Sequence, residues 1–76
     1  MATAELKHLI KMVNQISKNI ATEESEQAVI DKTTMHIQRF WAGSMKRDIM
    51  HYVERDGSGL EPLALSAVRQ LTKPRT

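Results

Sequence analysis

Length, composition and charge restrict what this chain can do. Its 76 residues, 41% hydrophobic and 26% charged, suit one globular domain spanning residues 1–76. Beyond Met1 it has 23 large apolar side chains, enough for one small core but not also for the walls of a substrate pocket of roughly 300–1,000 Å³. Composition therefore disfavours a stand-alone enzyme and favours a module that docks on another molecule.

Cysteine content and charge narrow the class further. The chain has no cysteine, which excludes disulfides and thiolate-bound metals and favours a cytoplasmic location for a domain of this size. No apolar run is long enough to span a membrane. The net charge of +2 is too small to make phosphate-driven nucleic-acid binding the first interpretation.

The first predicted helix covers about residues 3–20, with Thr3 as its N-cap. Its apolar residues recur at spacings of three and four, as a buried helical stripe requires. They are Leu6, Leu9, Ile10, Val13, Ile16 and Ile20. Asn14 and Gln15 flank the stripe, where their amides could reach either another chain or a neighbouring loop.

The second predicted helix covers about residues 23–41 and follows Thr22 as a possible N-cap. Two adjacent stripes run along it, and together they predict burial against more than one neighbour. The stripes are Val29, Thr33, His36, Phe40 and Ile30, Thr34, Ile37, Trp41. On this arc His36 is interpreted as a buried, hydrogen-bonded packing residue rather than a metal ligand.

Two shorter helices complete the pattern. Residues 42–44 interrupt the helical pattern. We expect Gly43 to end the second helix in a left-handed conformation and Ser44 to be the N-cap of the next. A third helix is predicted over residues 45–54. Its inward residues are Met45, Ile49, Tyr52 and Val53. Residues 56–59 are predicted to form a turn, and a fourth helix is predicted over residues 62–71. Residues 73–76 are predicted to form a frayed tail. The fold class is thus all-α, a small four-helix bundle-like domain with short connections.

No residue pattern supports a catalytic, cofactor-binding or metal site. The serines form no nucleophile elbow, and no histidine has ligand-forming neighbours at helical spacing. A partner surface is the stronger prediction, because only one ring of the pair Phe40-Trp41 can point into so small a core, and tryptophan and arginine dominate binding hot spots. We predict that this surface includes Asn14, Gln15, Arg39, Trp41, Met45, Lys46 and Arg47.

Three segments in order carry a resemblance to a known family. They are M-x-N-Q-I at 12–16, H-I-x-x-F-W at 36–41 with Met45 soon after, and G-L-x-P-L at 59–63. This order resembles the delta subunit of the soluble NAD-dependent formate dehydrogenases over about residues 6–71. One departure is that residues 42–44 read Ala-Gly-Ser where the family usually has Asp-Pro-Arg. If that missing arginine contacts the large subunit, this chain either docks differently or uses Lys46 and Arg47 in its place.

The resemblance implies an accessory subunit without cofactors of its own. In that family the large subunit holds a bis-pterin molybdenum or tungsten centre and iron–sulfur clusters, while other subunits carry flavin, the NAD site and a further cluster. The complex oxidises formate to carbon dioxide and reduces NAD. The delta subunit is expected to support assembly, maturation or stability of the large molybdenum-containing subunit.

Two interpretations from other classes stay open at this point. One is a DNA-binding module in which the last two helices imitate a helix-turn-helix, although the exposed Ser66, Arg69 and Gln70 are few for reading bases. The other is a free homo-oligomer that covers its apolar surface with copies of itself.

Overall fold

The structure is a computed structural model that describes residues 4–21 and 25–72. Within these residues the chain forms four helices, α1 (Ala4–Ile20), α2 (Glu26–Phe40), α3 (Gly43–Arg55) and α4 (Pro62–Thr72), and no strand. The prediction of an all-α, four-helix fold is confirmed. The predicted cap Thr3, the predicted cap Thr22 and the predicted tail 73–76 lie outside the described residues.

The core lies where the apolar stripes of the helices meet. Helix α4 packs most extensively against α2, and α1 contacts each of the other three helices. The largest fully buried side chains are Val13, Val29, Thr33, Ile37, Ile49 and Val68. They come from all four helices, so the apolar stripes of all four helices contribute to one core.

Small residues bring α2 and α4 close together. Ala64 and Ala67 of α4 are fully buried, and the Thr34 hydroxyl of α2 lies 3.0 Å from the Ala67 carbonyl oxygen. Beside this contact, the Gln70 amide donates a 2.9 Å hydrogen bond to the Asp31 carboxylate. The interface between α2 and α4 therefore has an apolar centre and a polar edge.

Helix α2 starts later than predicted, at Glu26 rather than residue 23, and ends at Phe40. Ser25 is the N-cap, and its hydroxyl accepts a hydrogen bond from the Ala28 N–H at 3.2 Å. An N-cap of this kind satisfies one of the helix's free N–H groups, which explains why the helix begins there.

Helix α3 starts earlier than predicted. It begins at Gly43 and runs to Arg55, and Ala42 is its N-cap without a side-chain hydrogen bond. The expectation that Gly43 adopts a left-handed conformation and that Ser44 caps the helix is therefore wrong. The physical reason is that Trp41 and Ala42 are both extended, with ψ of 142° and 154°, so the chain changes direction without a left-handed residue.

The turn between α3 and α4 was predicted correctly. Gly57 and Gly59 have φ values of 78° and 88°, in the left-handed region that glycine adopts most easily. The Tyr52 hydroxyl donates to the Ser58 carbonyl at 2.6 Å, and the Ser58 hydroxyl donates to the Asp56 carboxylate at 2.9 Å. Side chains therefore hold this turn in one conformation.

Candidate functional site

The most unusual surface feature of the described residues is an exposed apolar pair on α2. Phe40 is 71% exposed and Met35 is 51% exposed, and these are the large hydrophobic side chains that the described structure leaves in solvent. Isolated exposed apolar residues are common on protein surfaces, but a Phe ring exposed to this degree contributes little to folding. The pair is therefore a candidate contact for another molecule.

Polar and cationic side chains surround the exposed ring. The His36 ring lies 4.9 Å from the Phe40 ring, centroid to centroid, with the planes tilted by 45°. The Arg39 guanidinium carbon lies 6.0 Å from the centre of the Phe40 ring, at the outer limit of a cation–π contact. Residues 35, 36, 39 and 40 lie on one side of the helix, because 35 and 39, and likewise 36 and 40, are four positions apart and 36 and 39 are three apart. We call these four residues the α2 outer face.

Helix geometry explains why this face is uncovered. Thr34 points toward α4, where it meets Ala67. His36 follows two positions later, which turns its side chain about 200° around the helix axis, away from α4. The expectation that His36 is buried is therefore wrong, since this side chain is exposed.

The start of α3 adds positive charge to the end of α2. The Lys46 ammonium lies 3.4 Å from the Gln38 carbonyl oxygen, one of the last carbonyls of α2. A cation at this position interacts favourably with the negative end of the helix dipole. Arg47 follows and is exposed, while Met45 is half-buried against the core.

Two of the predicted surface residues serve the fold instead. Trp41 is only 6% exposed and belongs to the core, so the expectation that its ring lies on the surface is corrected. The exposed ring of the pair is Phe40. Asn14 directs its amide to the loop before α4, where it donates to the Gly59 carbonyl and accepts from the Glu61 N–H, both at 2.8 Å. Gln15 is exposed on α1.

A signal in the sequence could have assigned the two rings. The stripe that ends in Trp41 contains two further large apolar residues, Ile30 and Ile37, whereas the stripe that ends in Phe40 contains His36 and Thr33. The more apolar stripe is the better candidate for burial. Trp41, not Phe40, was therefore the better choice for the core.

A depression of about 290 Å³ lies where the end of α1 meets the starts of α2 and α4. Ser17 in its lining donates a hydrogen bond to the Asn14 carbonyl at 3.0 Å, and no histidine is among the lining residues. Across residues 4–21 and 25–72, no group of three or more acidic or histidine side chains could hold a metal ion. None of the four helices combines the length and apolar character that crossing a membrane requires.

The fold and this surface define a small all-α domain with one face of α2 uncovered. Compared with known families, the sequence matches the NADH-dependent formate dehydrogenase delta subunit family, FdsD, over residues 8–68. The chain belongs to this family, and the resemblance seen in the sequence is confirmed. No curated protein and no solved structure matches it significantly.

The structure gives a physical reason for two of the three segments that carried the resemblance. Asn14 lies in the first segment, and its amide binds the backbone of Gly59 and Glu61 in the third. The middle segment is divided, because Ile37 and Trp41 enter the core while His36 and Phe40 remain exposed. Folding thus accounts for Asn14, Ile37 and Trp41, whereas Gln15, His36 and Phe40 are exposed.

Proposed function

We propose that this chain is a non-catalytic accessory subunit that binds the large, molybdenum-containing subunit of a cytoplasmic NAD-dependent formate dehydrogenase. In this role it supports assembly, maturation or stability of that subunit. The family match over residues 8–68 carries the proposal. Bis-pterin molybdenum, iron–sulfur clusters, flavin and NAD then belong to the other subunits of the complex.

The arrangement of side chains supports a binding role. Several polar groups that could serve chemistry are used to hold the fold, among them the Asn14 amide and the Tyr52 and Thr34 hydroxyls. The proposed partner surface keeps the exposed Gln15, Arg39 and Arg47 and the half-buried Met45 and Lys46, and it replaces Trp41 with Phe40. It consists of Gln15, Arg39, Phe40, Met45, Lys46 and Arg47.

The DNA-binding alternative gains no support from α4. Gln70 was one of three side chains available for base contacts, but its amide donates to the Asp31 carboxylate at 2.9 Å. Ser66 is only partly exposed, which leaves Arg69 as the exposed side chain of that set. One arginine cannot specify a DNA sequence.

Co-expression tests the proposed function directly. The large subunit carries an affinity tag and is produced with its catalytic partners, either with this chain or without it. We expect the chain to co-purify, and its omission to lower the molybdenum content or the thermal half-life of formate-dependent NAD reduction. Equal metal content and half-life, together with failure to co-purify, would refute the proposal.

Two controls separate the possible roles. Purified chain is added to complex that was assembled without it; recovery of the half-life indicates stabilisation, and no recovery indicates a role during assembly. The chain alone is also mixed with formate and NAD, and no NADH is expected. Formation of NADH by the chain alone would contradict a non-catalytic subunit.

A further inference from the structure

The α2 outer face has the composition of a binding site for an acidic segment. Met35 and Phe40 supply apolar surface, and Arg39 supplies a cation beside the Phe40 ring. No acidic residue occurs at positions 32, 35, 36, 39 or 40, and the nearest carboxylate of this helix, that of Asp31 one turn before Met35, accepts hydrogen bonds from Gln27 and Gln70. Arginine is among the residue types most enriched in binding hot spots, and phenylalanine and methionine are enriched in interfaces relative to the rest of the surface.

Helix α3 adds a second positive charge at the end of α2. The Lys46 ammonium reaches the Gln38 carbonyl, so α3 places a second cation at the C-terminal end of α2. Acidic and basic residues are separated along the chain, because the acidic run at residues 23–31 comes before the C-terminal half of α2. A partner of opposite charge is therefore favoured at the C-terminal half of α2.

We propose that the α2 outer face is the docking site for an acidic segment of the partner subunit that carries at least one exposed apolar side chain. Carboxylates of that segment face Arg39 and Lys46, and its apolar side chain packs on Phe40 and Met35. The inference rests on the proposed function in one respect, namely that the partner is another subunit of the same complex.

A second copy of the chain is a poorer occupant. In a two-fold symmetric dimer the same patch is used on both copies, so Arg39 and Lys46 of one copy would face the cationic patch of the other. Like charges brought together across an interface reduce affinity. An acidic partner removes this repulsion and covers the same apolar atoms.

Site-specific cross-linking identifies the occupant. Phe40 is replaced by the photoreactive residue p-benzoylphenylalanine in the co-expressed complex, which is irradiated and analysed by mass spectrometry. We expect a cross-link to another subunit, in a segment where Asp and Glu outnumber Lys and Arg. The same residue placed at exposed Lys11 of α1 is the control and is expected to miss that segment.

Every other result of the cross-linking counts against the inference. A cross-link to a second copy of this chain, to phospholipid or to a basic segment overturns it. So does an absence of cross-links from a complex that still contains the chain, and in that case the proposed function stands. If the unmodified chain does not co-purify at all, both proposals fail.

Affinity measurements with matched variants provide the second test. Arg39→Glu and Phe40→Ala are each expected to weaken binding to the purified complex by about tenfold or more, as hot-spot residues do. Lys11→Glu makes the same charge change on α1 and is expected to alter affinity less than about threefold, since it lies off the docking site. Circular dichroism checks that each variant is folded. Equal effects of Arg39→Glu and Lys11→Glu would show that only net charge matters, which overturns the assignment of this face.

Discussion

Asn14 and Gly59 are 45 positions apart in the chain, and the Asn14 side-chain amide donates a 2.8 Å hydrogen bond to the Gly59 carbonyl oxygen. The oxygen of the same amide accepts from the N–H of Glu61, also at 2.8 Å. Glu61 immediately precedes α4, so one side chain of α1 fixes both the end of the turn and the start of the last helix. The α3–α4 connection is thereby tied to the rest of the fold.

Removing this amide should destabilise the domain. We expect Asn14→Ala to lower the free energy of unfolding by about 1–3 kcal/mol, because two hydrogen bonds of about 1 kcal/mol each are lost. Urea unfolding monitored by circular dichroism measures the change. Gln15→Ala is the matched control, since that side chain is exposed, and it should change stability by less than about 0.5 kcal/mol. Equal losses in both variants would mean that the two hydrogen bonds of the Asn14 amide are not important for stability.

The glycines should respond to substitution in opposite ways. Gly57 has a φ of 78°, and a Cβ there would lie 3.1 Å from the Leu65 Cδ1 atom, so Gly57→Ala should cost about 1–2 kcal/mol or more. Gly43 is helical, and a Cβ added there would meet no atom within 4 Å apart from those of its chain neighbours and its own helix backbone, so Gly43→Ala should be neutral or stabilise by up to about 1 kcal/mol. Urea midpoints of the two variants are compared with wild type. A stabilising effect at Gly57 would contradict the left-handed turn.

The neighbouring rings Phe40 and Trp41 should differ sharply in their effect on stability. Trp41 is 6% exposed, so Trp41→Ala should cost about 3–5 kcal/mol, enough to unfold a domain of this size in part. Phe40 is 71% exposed, and Phe40→Ala should stay within about 0.5 kcal/mol of wild type. Thermal unfolding separates the two. A large loss with Phe40→Ala would place that ring in the core and remove it from any docking site.

Much of the fold was predictable because helical spacing of apolar residues survives in the sequence. The stripe of α1 is uninterrupted, and α4 begins with Pro62 at the first helical position, which loses no hydrogen-bond donor. The exact start of α2 was not predictable. Thr22 and Ser25 both precede acidic residues, which suit the first turn of a helix, so composition does not choose between the two caps.

The surface was harder to predict than the helices. Phe40 and Trp41 are adjacent and therefore about 100° apart around the helix, so a small error in the assumed direction of the core exchanges their roles. For Asn14 the sequence left two interpretations open, another chain or a neighbouring loop. Only the three-dimensional fold decides between them, because the loop in question lies 45 residues further along the chain.

Two adjacent threonines of α2 should show opposite effects when changed to valine. Thr33 is fully buried, and its hydroxyl oxygen has no hydrogen-bond partner within the described residues, so Thr33→Val should stabilise the domain by about 1 kcal/mol. The Thr34 hydroxyl lies 2.8 Å from the Ile30 carbonyl and 3.0 Å from the Ala67 carbonyl, and can donate its single proton to one of them at a time. Thr34→Val should therefore destabilise by about 1 kcal/mol. Chemical unfolding of both variants tests the pair, and the same sign of change in both would contradict the hydrogen-bond assignment.

Asp31 should make part of the stability depend on pH. Hydrogen bonds donated by Gln70 and then Gln27 hold the pKa of the Asp31 carboxyl below its usual value of 3.8. Because the folded state binds this proton less readily than the unfolded state, the contribution is complete above the unfolded pKa and is lost as the pH falls through the folded one. Asp31→Asn should therefore lower the melting temperature near neutral pH, and this effect should fade as the pH falls through the folded-state pKa of Asp31.

The partner that lowers the pKa most supplies the control for this prediction. In a Gln70→Ala background the main donor to Asp31 is absent, so Asp31→Asn should change the melting temperature less near neutral pH than it does in the wild type. Thermal unfolding of the four proteins across the acid range gives the comparison. If the difference between wild type and Asp31→Asn stays constant with pH, or grows as the pH falls, the hydrogen bond from Gln70 does not stabilise the charged carboxylate in the folded chain.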